Sequence, residues 1–281
     1  MYEAASYTST NGLGTAVLLE ELVDSKVEKL VVASSMSVYG EGVYVDHDGI
    51  IDSGAARTSD QLSRGDWEPR SKSGTPLLPV PTSEAKPPSL ASVYALSKFE
   101  QERMALILGG AYHIPTVVLR LFNAYGPRQA LSNSYTGVLA VFACRLLNGK
   151  PPLVYEDGLQ QRDFVSVYDV ALAFRLALES DGAAGEVLNV GSGKASTVRE
   201  IARALALALR TEIEPEITGL YRAGDIRHCF ADNTRAENVL GYRPRVFLED
   251  GLTELAEWLE GQMAVDRIAE ASAELASRGL A

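Results

Sequence analysis

Cysteine is scarce in this chain: the 281 residues hold two, Cys144 and Cys229, far apart and without a C-x-x-C partner. That excludes a disulfide framework, offers no zinc-ligand spacing and fits a reducing compartment. Long apolar runs are missing as well, none approaching the roughly 18 to 20 residues needed to span a bilayer. The opening MYEAASYTST lacks the basic and apolar regions of a signal peptide, so a soluble, cytoplasmic protein with no membrane partner is expected. Basic clusters are absent too. With 26 Lys and Arg against 37 Asp and Glu, the net charge is -11, which argues against a nucleic-acid surface and favours small-molecule chemistry. Also missing is a glycine-rich dinucleotide fingerprint. NGLGT at 11–15 has G-x-G but no preceding strand and no third glycine, and GSGKAST at 191–197 lacks phosphate-loop spacing.

What is present reads as an α/β protein. Residues 13–24 place apolar side chains at helical spacing, and KLVVAS at 29–34 is the short apolar, β-branched run of a buried parallel strand. Residues 40–90 are polar and rich in Gly, Pro, Asp and Ser, a length and composition typical of a lid or a disordered loop. A helix over 93–108 and a strand over 116–122 follow, an order that suggests a doubly wound sheet. Further on, VLAVFACRLLNG reads as a helix ended by Gly149, PLVYEDG and RDFVSV as short strands, and Asp169 as the start of the helix DVALAFRLALES. EVLNVGSG is a strand running into a loop. Thr197 and Glu200 form a T-x-x-E capping box, and a helix over about 249–262 carries Leu252, Leu255, Ala256 and Leu259 at core spacing.

Tyr94 and Lys98 form a Y-x-x-x-K pair in SVYALSK. Alone the pattern fits any helix with a half-buried tyrosine and a solvated lysine one turn apart. Spacing of four, however, puts both on one face, where the ammonium stabilises the phenolate and makes a usable base. Ser34 and Ser35 lie upstream at a strand end, where α/β active sites form.

At LVVASSMSVYG the sequence resembles the extended short-chain dehydrogenase/reductase superfamily, in its nucleotide-sugar epimerase and dehydratase branch. The resemblance runs over roughly residues 2–262 and includes N-x-x-G-T at 11–15, YALSK at 94–98, LRLFNAYGPRQ at 119–129, QRDFVSVYDV at 161–170, NVGSG at 189–193 and RAGDIRH at 222–228. It implies a Rossmann-like parallel sheet within residues 1–130, carrying a long insert at 41–90. A smaller α/β substrate-binding domain would cover most of 131–262, with a peripheral helical tail at 263–281. It implies NAD as cofactor, a nucleotide sugar as substrate and a homodimer built on the helices at 14–24 and 93–108. Ser35 would hydrogen-bond the sugar oxygen being oxidised, Tyr94 would remove its proton, and Lys98 would hold the nicotinamide ribose. Ser34, Phe122 and Ala124 would lie against the cofactor, with Asn123 facing the substrate. Asn11 is either a residue near the cofactor or a helix cap. Arg162 and Arg222 would bind the nucleotide diphosphate, a role suited to the guanidinium fork, and Asp225 would support a ribose or a neighbouring arginine.

Departures from the family pattern narrow the chemistry. Sugar 4,6-dehydratases carry an Asp-Glu pair just after the strand-end hydroxyl residue, and here Met36 and Ser37 stand there, neither an acid nor a base at neutral pH. That leaves 4-epimerisation by transient oxidation at C4, with a nucleotide-sugar reductase or dehydrogenase and a non-catalytic homologue as alternatives. No metal site is expected, since the insert has no cysteine and Asp46, His47 and Asp48 read as a solvated turn; Trp67 is expected to anchor the insert. Finally, roughly 80 to 90 residues of the family pattern, with the first strand and its glycine-rich turn, are not found ahead of Asn11. The chain is therefore expected to hold NAD weakly and to leave the LVVAS strand without a neighbour.

Overall fold

The computed structural model describes residues 4–25, 27–52, 54–131, 137–222 and 224–262; the tail expected at 263–281 lies outside them. Three strands, β1 (Leu30–Ser35), β2 (Thr116–Leu121) and β5 (Val187–Val190), form a parallel sheet with β2 in the centre. Between β2 and β5 in the chain come β3 (Asn123–Tyr125) and β4 (Phe164–Ser166), which pair parallel with each other. The register sets Leu30 opposite Thr116 through Ser35 opposite Leu121, and Val187 opposite Val118 through Val190 opposite Leu121. The TVVLRL sequence of β2 suits its place, since a strand covered on both faces needs an almost unbroken apolar run. Among the described residues β1 is a sheet edge, and it is only partly buried apart from Ser34.

Alternation along β2 divides the two faces. Val117 and Leu119 pack with Leu188 against Val170, Ala173 and Ala177 of helix α4 (Val167–Glu179). Opposite, Ser34, Arg120 and Asn189 stand in one row across the three strands, all buried. Helix α2 (Val93–Tyr112) covers this face next to β1, and its Glu102, 1% exposed, meets the row. Glu102 accepts from Ser34 Oγ at 2.9 Å and from Arg120 Nε and Nη2 at 3.0 and 2.5 Å. The Arg120 guanidinium also lies over the Tyr39 ring, 4.8 Å from its centroid, and Tyr39 donates to Asn189 Oδ1 at 2.7 Å. Every member of this buried row thus has a partner, as a desolvated polar group requires.

Local signals explain where α2 starts and stops. Ser92 Oγ accepts from Ala95 N at 3.1 Å as the N-cap, and His113 takes a left-handed conformation, φ 56°, at the C-terminal end. Near that end Gly109 lies against Thr116 with no room for a Cβ, which lets α2 settle on the start of β2. Helix α1 (Gly14–Asp24) packs beside α2 and is entered through a wide π turn over Thr8–Leu13.

The insert is folded, not an open loop. Val43–Val45 pairs antiparallel with Ile51–Asp52 and with Leu78–Val80, a short helix spans Ser59–Ser63, and Tyr44 and Leu77 are buried. Apolar side chains spread thinly through a polar sequence gave no periodicity by which to see this. Trp67 anchors the insert as expected, its ring 6.1 Å from that of Tyr221.

Beyond β3 (Asn123–Tyr125), helices α3 (Val138–Leu147), α5 (Val198–Ala208) and α6 (Leu248–Leu259) build a second core from Phe142, Ile201, Leu205, Leu252, Leu255 and Leu259. The Thr197–Glu200 capping box is present. One expected boundary moves: α4 begins at Val167, with Ser166 Oγ accepting from Tyr168 N at 3.3 Å. Asp169 is instead buried in the helix and accepts from the backbone of Arg245 and Val246 at 2.9 and 3.0 Å.

Replacing Glu102 by Gln leaves Arg120 charged and without its carboxylate. Such a change should cost about 3–5 kcal/mol, read as a lower urea midpoint at unchanged m-value; a loss under about 1 kcal/mol would show the pair to be incidental.

Candidate active site

Ser35 closes β1 and caps the turn Met36–Tyr39, its Oγ accepting from Ser37 N at 3.2 Å and Ser37 Oγ at 2.9 Å. Strand alternation sends Ser34 the other way, into the Glu102 contact, so its hydroxyl is committed to the sheet and only its backbone can face a cofactor. Tyr94 stands in the first turn of α2, partly exposed, its ring edge-on to Tyr7 at 5.6 Å. Lys98 follows one turn later. It is half-buried, burial lowers its pKa, and no carboxylate or carbonyl among the described residues takes its ammonium. Glu102 continues the same helix face, so the contact that docks α2 on β1 lies on the face that carries Tyr94 and Lys98.

Asn11 is not a helix cap. It lies inside the π turn and its Nδ2 donates to Ser97 Oγ at 3.0 Å, tying α1 to α2 beside Lys98. Phe122 is buried with Met36, Val38 and Tyr39, so the position that would hold an acid in a dehydratase is part of an apolar cluster. Asn123 is fixed by its backbone N–H to Asp163 O at 3.0 Å, while its buried Oδ1 has no partner among the described residues. Ala124 is exposed. Asp163, fully buried, also gathers the N–H groups of Ser192, Gly193 and Ala231 at 2.6, 2.9 and 3.2 Å, which holds the NVGSG loop behind Asn123. Cys229 nearby is no nucleophile, since burial pushes its thiol up to about 12.

Of the two expected diphosphate ligands, Arg222 is the better placed. Its guanidinium stacks on Tyr155 at 4.3 Å and its buried Nε has no partner among the described residues. Arg162 is largely spent on the fold: Nη1 donates to Gln161 O and Arg227 O, each at 2.9 Å, and Nη2 to Ile226 O. These contacts tie Arg162 to the loop that carries Arg222 and Asp225. Asp225 keeps an exposed side chain, and its carbonyl accepts from Arg57 Nη2 at 2.6 Å. A cleft of about 980 Å³ opens beside Ala124, between Gly126–Gln129 and α6, but touches none of Ser35, Tyr94 and Lys98.

Sequence reasoning missed the charged hub behind this loop. Arg227, 0% exposed, pairs with Glu68 at 2.5 Å, Asp157 at 2.7 Å and Glu156 at 2.9 Å, and His228 Nε2 lies 2.8 Å from Glu68 Oε2. Its members come from three distant stretches, 68, 156–157 and 227–228, and although Arg227 and His228 lie in the RAGDIRH motif, nothing there marks them as partners of Glu68, Glu156 and Asp157.

Residues 68–191 match the model of the NAD dependent epimerase/dehydratase family. A dTDP-L-rhamnose 4-epimerase of Burkholderia thailandensis is 35% identical over 93% of this chain and 71% of its own length. The chain belongs to that family. Its fold matches a UDP-glucose 4-epimerase of Thermotoga maritima crystallised with UDP-glucose, at TM-score 0.73 and 30% identity over 92% of this chain and 72% of that one. A Thermus thermophilus UDP-glucose 4-epimerase in complex with NAD matches at TM-score 0.69 and 31% identity, over 91% and 71%. These relatives are epimerases with Rossmann-like domains, which supports an isomerase by family and an α/β fold with a parallel sheet, as the sequence motifs led us to expect.

The Glu68 pairing has a pH signature. Partial burial alone would raise its pKa, but hydrogen bonds from His228 and Arg227 outweigh that and bring it from the ordinary 4.5 down to about 2. A lowered carboxylate stabilises the fold above its unfolded pKa and loses that contribution as pH falls through the folded value. The stability gap between the native chain and Glu68→Gln should thus be full above pH 4.5 and close towards pH 2; urea midpoints against pH test it, and a gap independent of pH would refute the pairing.

Proposed function

We propose that the chain is the catalytic and substrate-binding body of an NAD-dependent nucleotide-sugar 4-epimerase, acting on a UDP- or dTDP-hexose by transient oxidation at C4. The observation that carries this reading is the Ser35, Tyr94 and Lys98 set at the carboxyl end of a parallel strand, with Met36 and Ser37 where a dehydratase needs an acid pair. Ser35 would hold the C4 oxygen. Tyr94 would take the hydroxyl proton and later return it, a contribution of about 10²–10⁴-fold for a positioned acid–base group. Asn123 Oδ1, buried and unpartnered, suits a donor on the substrate. Arg222 would meet the diphosphate with its stacked guanidinium.

The nicotinamide end of the cofactor fits these residues, because the unpaired half-buried Lys98 ammonium suits the hydroxyls of its ribose. The sequence has no glycine-rich turn to cradle a pyrophosphate, so the described residues favour only that end. Held there, NAD would supply reversible hydride transfer, from one face of C4 and back to the opposite face of the 4-keto sugar, with no net redox change. A cytoplasmic homodimer is part of the proposal: Leu13, Val17, Leu18, Leu96 and Ile107 are all more than half exposed on or beside α1 and α2.

The test is conversion of UDP- and dTDP-hexoses with NAD supplied, on a preparation that should sediment as a dimer. Turnover should occur without lasting change in nicotinamide absorbance, and Tyr94→Phe and Lys98→Met should lower kcat by about 10²-fold or more. Stoichiometric NADH formation would show a dehydrogenase instead, and full activity in Tyr94→Phe would remove the assigned base.

A further inference from the structure

The insert grips the segment 221–228, which carries Arg222 and Asp225. Arg57, its side chain 3% exposed, donates from Nη2 to Asp225 O at 2.6 Å and from Nη1 to Glu156 at 2.7 Å. The Glu41 carboxylate accepts the backbone N–H of Arg227 at 2.8 Å, and Glu68 receives the side chains of Arg227 and His228. Glu156, which takes both arginines, is 2% exposed and sits at φ 53°, a left-handed conformation that non-glycine residues rarely keep unless their surroundings enforce it. Between insert and segment lies a cavity of about 210 Å³ walled by Ala56, Arg57, Lys86 and Asp225, with Ala91, just ahead of Tyr94, on its rim.

The described residues of segment 221–228 have little regular structure before His228, and Gly219 and Gly224 at positive φ bracket its entry. A chain of that kind has many conformations, and a ligand sees only the competent fraction, so its apparent Kd is raised by that fraction. From these contacts we propose that the insert is a positioning device for nucleotide binding, with Arg57 as the positioning residue that fixes how Arg222 and Asp225 are presented. The inference rests on the reading that those two residues meet the nucleotide portion of the substrate. Arg57 touches neither the reacting carbon nor Tyr94, so its loss should weaken ground-state and transition-state binding alike and leave the chemical step unchanged.

Titration calorimetry of UDP and dTDP into the full chain, Arg57→Met and Arg57→Lys, alongside KM and kcat for the matching nucleotide hexose with NAD supplied, tests this. Arg57→Lys keeps a positive charge beside Glu156 and so protects the fold, yet a single ammonium cannot reach both Glu156 and the Asp225 carbonyl. Both variants should bind the preferred nucleotide about tenfold more weakly, with KM rising alike and kcat within about twofold. An unchanged Kd in Arg57→Lys, or a fall in kcat at unchanged KM, would overturn the inference. If the native chain binds UDP or dTDP without epimerising the sugar, and Arg57→Lys weakens that binding, the proposed activity falls while the positioning role stands. If it binds neither nucleotide, the positioning role falls.

Discussion

The buried Glu102 carboxylate is the contact on which the active-site geometry depends. It joins three elements at once: α2 that carries it, β1 through Ser34 and β2 through Arg120. Because Tyr94, Lys98 and Glu102 share one face of α2, locking the last also sets the rotation and height of the first two relative to Ser35. A buried charge pair is weak evidence for extra stability, since an apolar replacement of equal shape often folds as well or better. Its value here is geometric. An apolar contact could slide along the sheet, whereas a forked guanidinium and a serine hydroxyl meet a carboxylate in one register.

A second charged centre orders the other side of the site. Arg227, Arg57, Glu156 and Glu68 bring the insert, the 221–228 segment and the chain around Asp157 to one buried point. The two centres divide the work. Glu102 and Arg120 hold the atoms proposed to react, while the Arg227 group holds those proposed to recognise the nucleotide. Between them Asp163 accepts from Asn123 N with its carbonyl and from Ala231 N, four residues after Arg227, with its carboxylate.

What could be read in the sequence was what local physics decides. The apolar run of β2, the serine cap of α2 and the Thr197–Glu200 box each act over a few residues, so pattern and structure agree. What escaped depended on contacts between distant segments. Asn11 bonds Ser97 across the fold, Ser34 turns inward to Glu102, and Asp169 holds the backbone at 245–246 in place of the helix end. Arg162 matched a ligand motif but is mostly consumed by carbonyls of its own fold. The insert was opaque because its strands are only two or three residues long, too short for alternation to show.

In the proposed reaction Ser35, Tyr94 and Lys98 serve reversible oxidation at C4 of a nucleotide hexose, with the removed hydrogen returned to the same carbon. The most direct measurement follows a UDP- or dTDP-hexose deuterated at C4 through turnover with NAD supplied. The account predicts that the epimerised product retains deuterium at C4. Loss of the label to solvent, with hydrogen taken up at C4 or a neighbouring carbon, would contradict it and point to proton abstraction instead.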